Sequence, residues 1–183
     1  MKYLTLFLKK TLRFLLKPLS FVPAMIVMYL IFSFSAQDGA SSADLSHRVS
    51  VFLVRAANRL LEKGLSPEQI LLYADSIHFY VRKLGHVTEY FVLAVTVAFP
   101  LYVYRIRGLK LVFLAGLFCV GFAGLDEYHQ SFVAGRGPSL RDVGIDSIGI
   151  FTGIFLVRIT GFIGRKTIFA PLSLSHRKRT ASF

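Results

Sequence analysis

Four stretches of the chain are apolar almost without interruption: 19–34, 84–104, 109–125 and 143–163. A helix rising ~1.5 Å per residue needs roughly 17–25 residues to cross a bilayer, so the last three predict spanning helices and the first spans marginally. Residues 35–83 instead alternate polar and apolar positions at helical spacing. Leu45, Val49, Phe52, Ala56 and Leu60 share one face, with Arg48, Arg55, Arg59 and Glu62 off it, which predicts an amphipathic helix over 43–63 that ends at Gly64. Ser66-Pro67-Glu68-Gln69 opens a second, 66–83, with a capping Ser, a Pro at the first helical position and a Gln where a capping box wants it. Neither shows a catalytic signature, and both are expected as a collar packed on the membrane part. The pattern predicts an all-α polytopic membrane protein with about four transmembrane helices plus amphipathic helices in the first outer loop. Its membrane domain runs over 18–164. Ahead of it, residues 1–17 set Lys2, Lys9, Lys10, Arg13 and Lys17 among Leu and Phe, a basic amphipathic segment suited to an anionic cytoplasmic surface; behind it, 165–183 form a basic tail. A cleaved signal peptide competes for the first apolar run, whose length favours a retained helix.

Composition agrees: 54% hydrophobic residues, 18 Phe and a mean hydropathy of +0.58 are too apolar for a soluble domain. One cysteine, Cys119, lies inside an apolar run, so there is no intramolecular disulfide and no Cys-rich metal motif. A net charge of +12 would suggest nucleic acid in a soluble protein, but here the charge follows topology. With both termini in the cytoplasm, the inner side receives five basic residues before Leu19, three from Arg105 to Lys110 and six from Arg158 onward, against eight outside. All ten acidic residues fall outside. That is a strong positive-inside pattern. It sets nucleic acid aside and puts the N- and C-termini in the cytoplasm.

This topology brings the polar ends of the spans to one level. Ser35 and Gln37 close the first; Arg82, Lys83, His86, Glu89 and Tyr90 open the second; Asp126, Glu127, His129 and Gln130 close the third; Arg136, Ser139, Arg141, Asp142 and Asp146 lead into the fourth. Arg82, His86 and Glu89 share a helix face, as do Asp142 and Asp146. Ionisable groups at such a depth are costly unless paired or hydrated, so the cluster is a functional-site hypothesis. Gly149-x-x-x-Gly153 permits close helix approach.

At these residues the sequence resembles the VanZ-like family of bacterial membrane proteins, named for a teicoplanin-resistance protein. The matching pieces are Phe34-Ser35-Ala36-Gln37, Arg82-Lys83-x-x-His86-x-x-Glu89-Tyr90, Asp126-Glu127-x-His129-Gln130, Gly135-Arg136-x-x-Ser139-x-x-Asp142 and the Gly149 to Gly153 spacing. Where the family usually has Asn four residues after the loop Asp, this chain has Asp146. The resemblance implies a place in the bacterial cytoplasmic (inner) membrane and a cell-envelope role, in some members lowered sensitivity to lipophilic glycopeptides, and carries no reaction onto individual residues.

Three readings of the cluster compete. As an enzyme, His86, Glu89, Asp126 and His129 supply acid–base groups while the arginines hold the phosphate of a lipid-linked cell-wall precursor or phospholipid headgroup. As a binding site, Arg82, Lys83, Tyr90, Glu127, Gln130, Arg136, Ser139, Arg141, Asp142, Asp146, Ser35 and Gln37 line a pocket for an anionic headgroup or a lipoglycopeptide, and no bond breaks. As structure alone, the acids neutralise the arginines and fix the helix packing. No cofactor signature is present; a divalent cation held by His86, Glu89, Asp126, His129 and Asp146 has suitable ligand types but no established spacing. Ser139 reads as a helix cap before it reads as a nucleophile. His47, His78 and His176 are singly placed and expected in solvent. A proton-coupled transporter is disfavoured because the middles of the spans carry no ionisable group.

Overall fold

The computed structural model describes residues 18–137 and 139–166; the basic segment 1–17, most of the predicted tail and His176 lie outside them. Five helices account for nearly all of the described chain, with no strand: α1 (Val22–Ser35), α2 (Gly39–Leu60), α3 (Pro67–Val103), α4 (Leu109–Gln130) and α5 (Leu140–Lys166). Three of them, α3, α4 and α5, are long and apolar enough to cross a membrane. α1 has only 14 residues, about 21 Å of helix. α1 and α2 reach spanning length and hydropathy only when taken together, as a pair bent by 108° at their junction.

α2 starts four residues earlier than its apolar periodicity suggests, because Asp38 caps it. The Asp38 carboxylate accepts the Ser41 backbone N–H and hydroxyl, both at 2.8 Å, and these bonds hold its pKa below the usual carboxylate value. The apolar stripe of α2 is not the face it buries. Ser46 and Ser50 form its buried side, each hydroxyl returned to the carbonyl four residues back at 2.8 Å, and this face packs on α3, where Ala74 is fully buried. Leu45, Val49, Phe52 and Leu60 point outward. Lipid is as apolar as a helix interface, so burying leucines gains little beside a membrane, whereas small residues allow close backbone contact. His47, expected in solvent, reaches Asp75 on α3 at 3.0 Å.

α3 joins what the pattern reads as an outer helix (66–83) and a span (84–104) into one helix of 37 residues, about 55 Å long. A complete capping box starts it: Ser66 Oγ accepts the Gln69 N–H and Gln69 Oε1 accepts the Ser66 N–H. Nothing stops it before Pro100, one turn from its end. The length of α3 exceeds the roughly 30 Å of a bilayer core, and the amphipathic first half gives α2 its packing partner.

α3 and α5 make the most extensive contact in the fold, and glycine decides their separation. A Cβ at Gly149 would land on the Val87 carbonyl, and one at Gly153 would sit 2.7 Å from the Phe91 carbonyl oxygen. The core beside this contact is built from small and medium side chains: Tyr90, Leu93, Ala94 and Ala98 of α3, Ala115, Cys119 and Ala123 of α4, and Ile150 and Ile154 of α5, all fully buried.

Candidate functional site

At one end of the bundle the polar residues sort into three neighbouring sets. The first is a buried cluster centred on Asp126. Its Oδ2 accepts hydrogen bonds from Ser35 Oγ (2.7 Å), Gln130 Nε2 (3.1 Å) and Tyr90 Oη (3.2 Å), and Gln130 Nε2 also reaches Ser35 Oγ at 3.2 Å. These groups come from α1, α3 and α4, and all four side chains are buried. The cluster therefore ties three helices together where α1 ends. Asp126 Oδ1, by contrast, is buried without a hydrogen-bond partner.

The second set supports the start of α5. Glu127 Oε2 accepts the Ser139 backbone N–H at 2.9 Å, and Ser139 Oγ accepts the Asp142 N–H at 3.3 Å, which is the capping role its sequence position suggests. Asp142 forms an ion pair with Lys83 of α3 at 2.5 Å. Asp146, buried one turn further along α5, feels the like charges of Glu127, Asp142 and Asp126 and the opposite charge of Lys83.

The third set lines an open cleft of about 200 Å³ between α2, α3, the end of α1 and the 131–139 loop. Arg82, His86 and Glu89, one face of α3, form one wall; Gln37 and Phe34 come from the end of α1; Ser42, Leu45, Ser46 and Val49 come from α2; and Arg136 comes from the loop. The loop reaches the cleft through a close backbone contact. Gly39 N–H donates to the Ala134 carbonyl at 3.0 Å, and a Cβ at Gly39 would collide with the Gly135 carbonyl. Gly135 itself has φ +73, a conformation that favours glycine. Arg136 Nη2 makes one long bond of 3.4 Å to the Phe34 carbonyl, while its Nε and Nη1 are buried with no partner. Burial, and then the nearby Arg82 charge, pull the Arg136 pKa below its ordinary value. Across the cleft, His86 Nδ1 lies 3.7 Å from Glu89 Oε2.

Of the residues singled out from sequence, the cleft thus gathers Gln37, Arg82, His86, Glu89 and Arg136. It does not gather Asp126 or His129. Asp126 is the acceptor of the buried cluster, and His129 stacks on Phe32 with ring centroids 4.2 Å apart and its Nδ1 buried without a partner. Arg141 is exposed on the first turn of α5. Among the described residues no three His, Cys, Asp or Glu side chains stand together as a metal-holding group. The sequence reading omitted Ser42 and Ser46. Their spacing from Val49, i, i+4, i+7, marks a single helix face once Asp38 is taken as the cap.

An all-helical, multi-pass membrane protein with a mixed apolar and charged cleft where its spans end is the class that fold and site define. Residues 20–161 match the VanZ/LLP1 family model, and the chain belongs to that family. No curated protein and no solved structure shows significant similarity to it.

Proposed function

We propose that the cleft binds the anionic phosphate headgroup of a membrane lipid or lipid-linked cell-wall precursor. The observation that carries this reading is Arg136, a half-buried guanidinium with two unpartnered buried nitrogens. Buried donors without acceptors are costly, and guanidinium N–H groups make strong, charge-assisted hydrogen bonds to phosphate oxygens. Arg82 and His86 face the same space with Glu89 as the single carboxylate on its lining, and Phe34, Leu45 and Val49 supply an apolar wall for the first carbons of a lipid chain. The positive-inside count puts this cleft on the outer side of the cytoplasmic membrane, where a lipid-linked precursor or a lipoglycopeptide such as teicoplanin is met, and altered glycopeptide sensitivity is the phenotype to read. A second reading, acid–base chemistry on the bound group, is favoured by one observation: His86 and Glu89 lie side by side on the cleft wall.

Retention of phosphatidylglycerol and of a polyprenyl phosphate by purified protein, followed by native mass spectrometry, tests the proposal. Arg136→Ala and Arg82→Ala are each expected to weaken retention about tenfold or more, the loss of a charge-assisted hydrogen bond. Unchanged retention in both variants, with folding intact, would overturn it. His86→Ala and Glu89→Gln separate the readings: retained binding with a lost phenotype supports chemistry, and retention of both supports binding alone.

A further inference from the structure

At the end of the bundle opposite the cleft, a cavity of about 610 Å³ lies between the end of α3, the turn after it and α5. Two arginines line it, Arg107 from the turn and Arg158 from α5, with Tyr102, Phe155, Ile159 and Phe162 as apolar walls. The Arg107 guanidinium carbon stands 5.2 Å from the centre of the Tyr102 ring, a stacking that holds the planar group while leaving its N–H edges free to bond. Gly161 makes room for this arrangement: a Cβ there would sit 2.5 Å from the Tyr102 ring, so any larger residue would push the ring from its place against α5.

Among the described residues no carboxylate forms an ion pair with these arginines. All ten acidic residues fall between Asp38 and Asp146. The nearest along α5, Asp146, precedes Arg158 by twelve residues, about 18 Å of helix. Residues 1–17 and 167–183 contain Lys and Arg but no Asp or Glu. Arg158 also interrupts a run of exposed apolar positions, Phe155, Leu156 and Ile159, on a helix apolar enough to span, and an arginine at such a depth is costly without a counter-charge or water.

We infer that this cavity is a binding site for a membrane phospholipid with an anionic headgroup, drawn from the leaflet at this end. Its phosphate sits between Arg107 and Arg158, and its first chain carbons lie along Phe155, Ile159 and Phe162. The site is separate from the cleft, and neither proposal depends on the other. It is also the end that the positive-inside count assigns to the cytoplasm, whose leaflet is rich in anionic lipid.

Full-length protein in phosphatidylcholine nanodiscs, carrying a trace of phosphatidylglycerol with a photoreactive group near the headgroup, provides the test. Labelling is expected on Tyr102 and on residues 155–162, displaced by excess phosphatidylglycerol but not by phosphatidylcholine or soluble glycerol phosphate. Arg107→Gln combined with Arg158→Gln is expected to lower that labelling roughly 25-fold, taking each arginine as about fivefold, without changing labelling of the cleft. Displacement by glycerol phosphate would identify a site for free phosphate, and equal displacement by phosphatidylcholine a groove that ignores the headgroup; either overturns the inference, as does unchanged labelling in the double variant. Should that variant be lost from the membrane, Gly161→Ala, which displaces Tyr102 without touching charge, is expected to reduce labelling severalfold, and no reduction counts against the site.

Discussion

Replacing Asp126 by Ala removes one carboxylate oxygen that accepts three hydrogen bonds from three different helices. Two of the three cross between helices, since Gln130 lies one turn from Asp126 on α4; such bonds are worth about 0.6 to 1.7 kcal/mol each, so the two together contribute about 1 to 3 kcal/mol, at the upper end where donors are left unpaired. Ser35 and Gln130 still have each other at 3.2 Å; the Tyr90 hydroxyl, on a residue with no solvent exposure, loses its acceptor outright. Tyr90→Phe, which deletes a single bond, is expected to cost about 1 kcal/mol. Arg136→Ala serves as the contrast, because its one recorded hydrogen bond is long and exposed, and its stability cost is expected to be slight. Thermal unfolding of the purified variants, read as loss of the monodisperse peak on size-exclusion chromatography, together with abundance in the membrane, measures all three. Asp126→Ala as stable as the parent protein would refute the clamp. Arg136→Ala as damaging as Asp126→Ala, with function lost in parallel, would reduce the cleft to a structural charge cluster.

Gly149→Ala is expected to force α3 and α5 apart at a cost of roughly 1 to 3 kcal/mol, whereas Gly144→Ala, where nothing lies within 4 Å of the added Cβ, is expected to be neutral or slightly stabilising; equal melting temperatures would show that the glycine contact does not set the packing. Lys83→Met and Asp142→Asn, combined in a double-mutant cycle, are expected to couple by about 0.5 to 1 kcal/mol, the side chains being only 22% and 29% exposed, and exchanging the two residues should recover part of the loss; strict additivity would mean the pair contributes nothing. Reporter fusions after Gly64 and at the C-terminus should show an external and a cytoplasmic signal respectively. A cytoplasmic signal at Gly64 would reverse the orientation and move the cleft to the inner face.

Much of this protein is legible in one dimension, because a bilayer imposes strong and simple constraints. Apolar length alone marks α3, α4 and α5 as spans, and Ser66-Pro67-Glu68-Gln69 marks the start of α3 through bonds made within one turn. The family pieces also mark which polar residues belong near one another, since each stands at the end of a span and the chain can return only at that level. Local signals failed where two elements fuse or a helix turns over. Gly85 stands beside the expected boundary between a collar helix and a span without breaking the helix, so the sequence does not announce that the two are continuous, and the apolar stripe of α2 looks like a buried face until the helix is seen packing on α3 through Ser46 and Ser50. Asp126 and His86 carry equivalent signals in the sequence, each an ionisable group at a span end. Only the rotation of α3 and α4 about their axes, set by Gly149 and Gly153 against the backbone of α3 and by the small residues of the core, turns His86 toward the open cleft and Asp126 inward onto Ser35, Tyr90 and Gln130. Helical rotation is a property of packing between distant segments, and no single stretch of the chain records it.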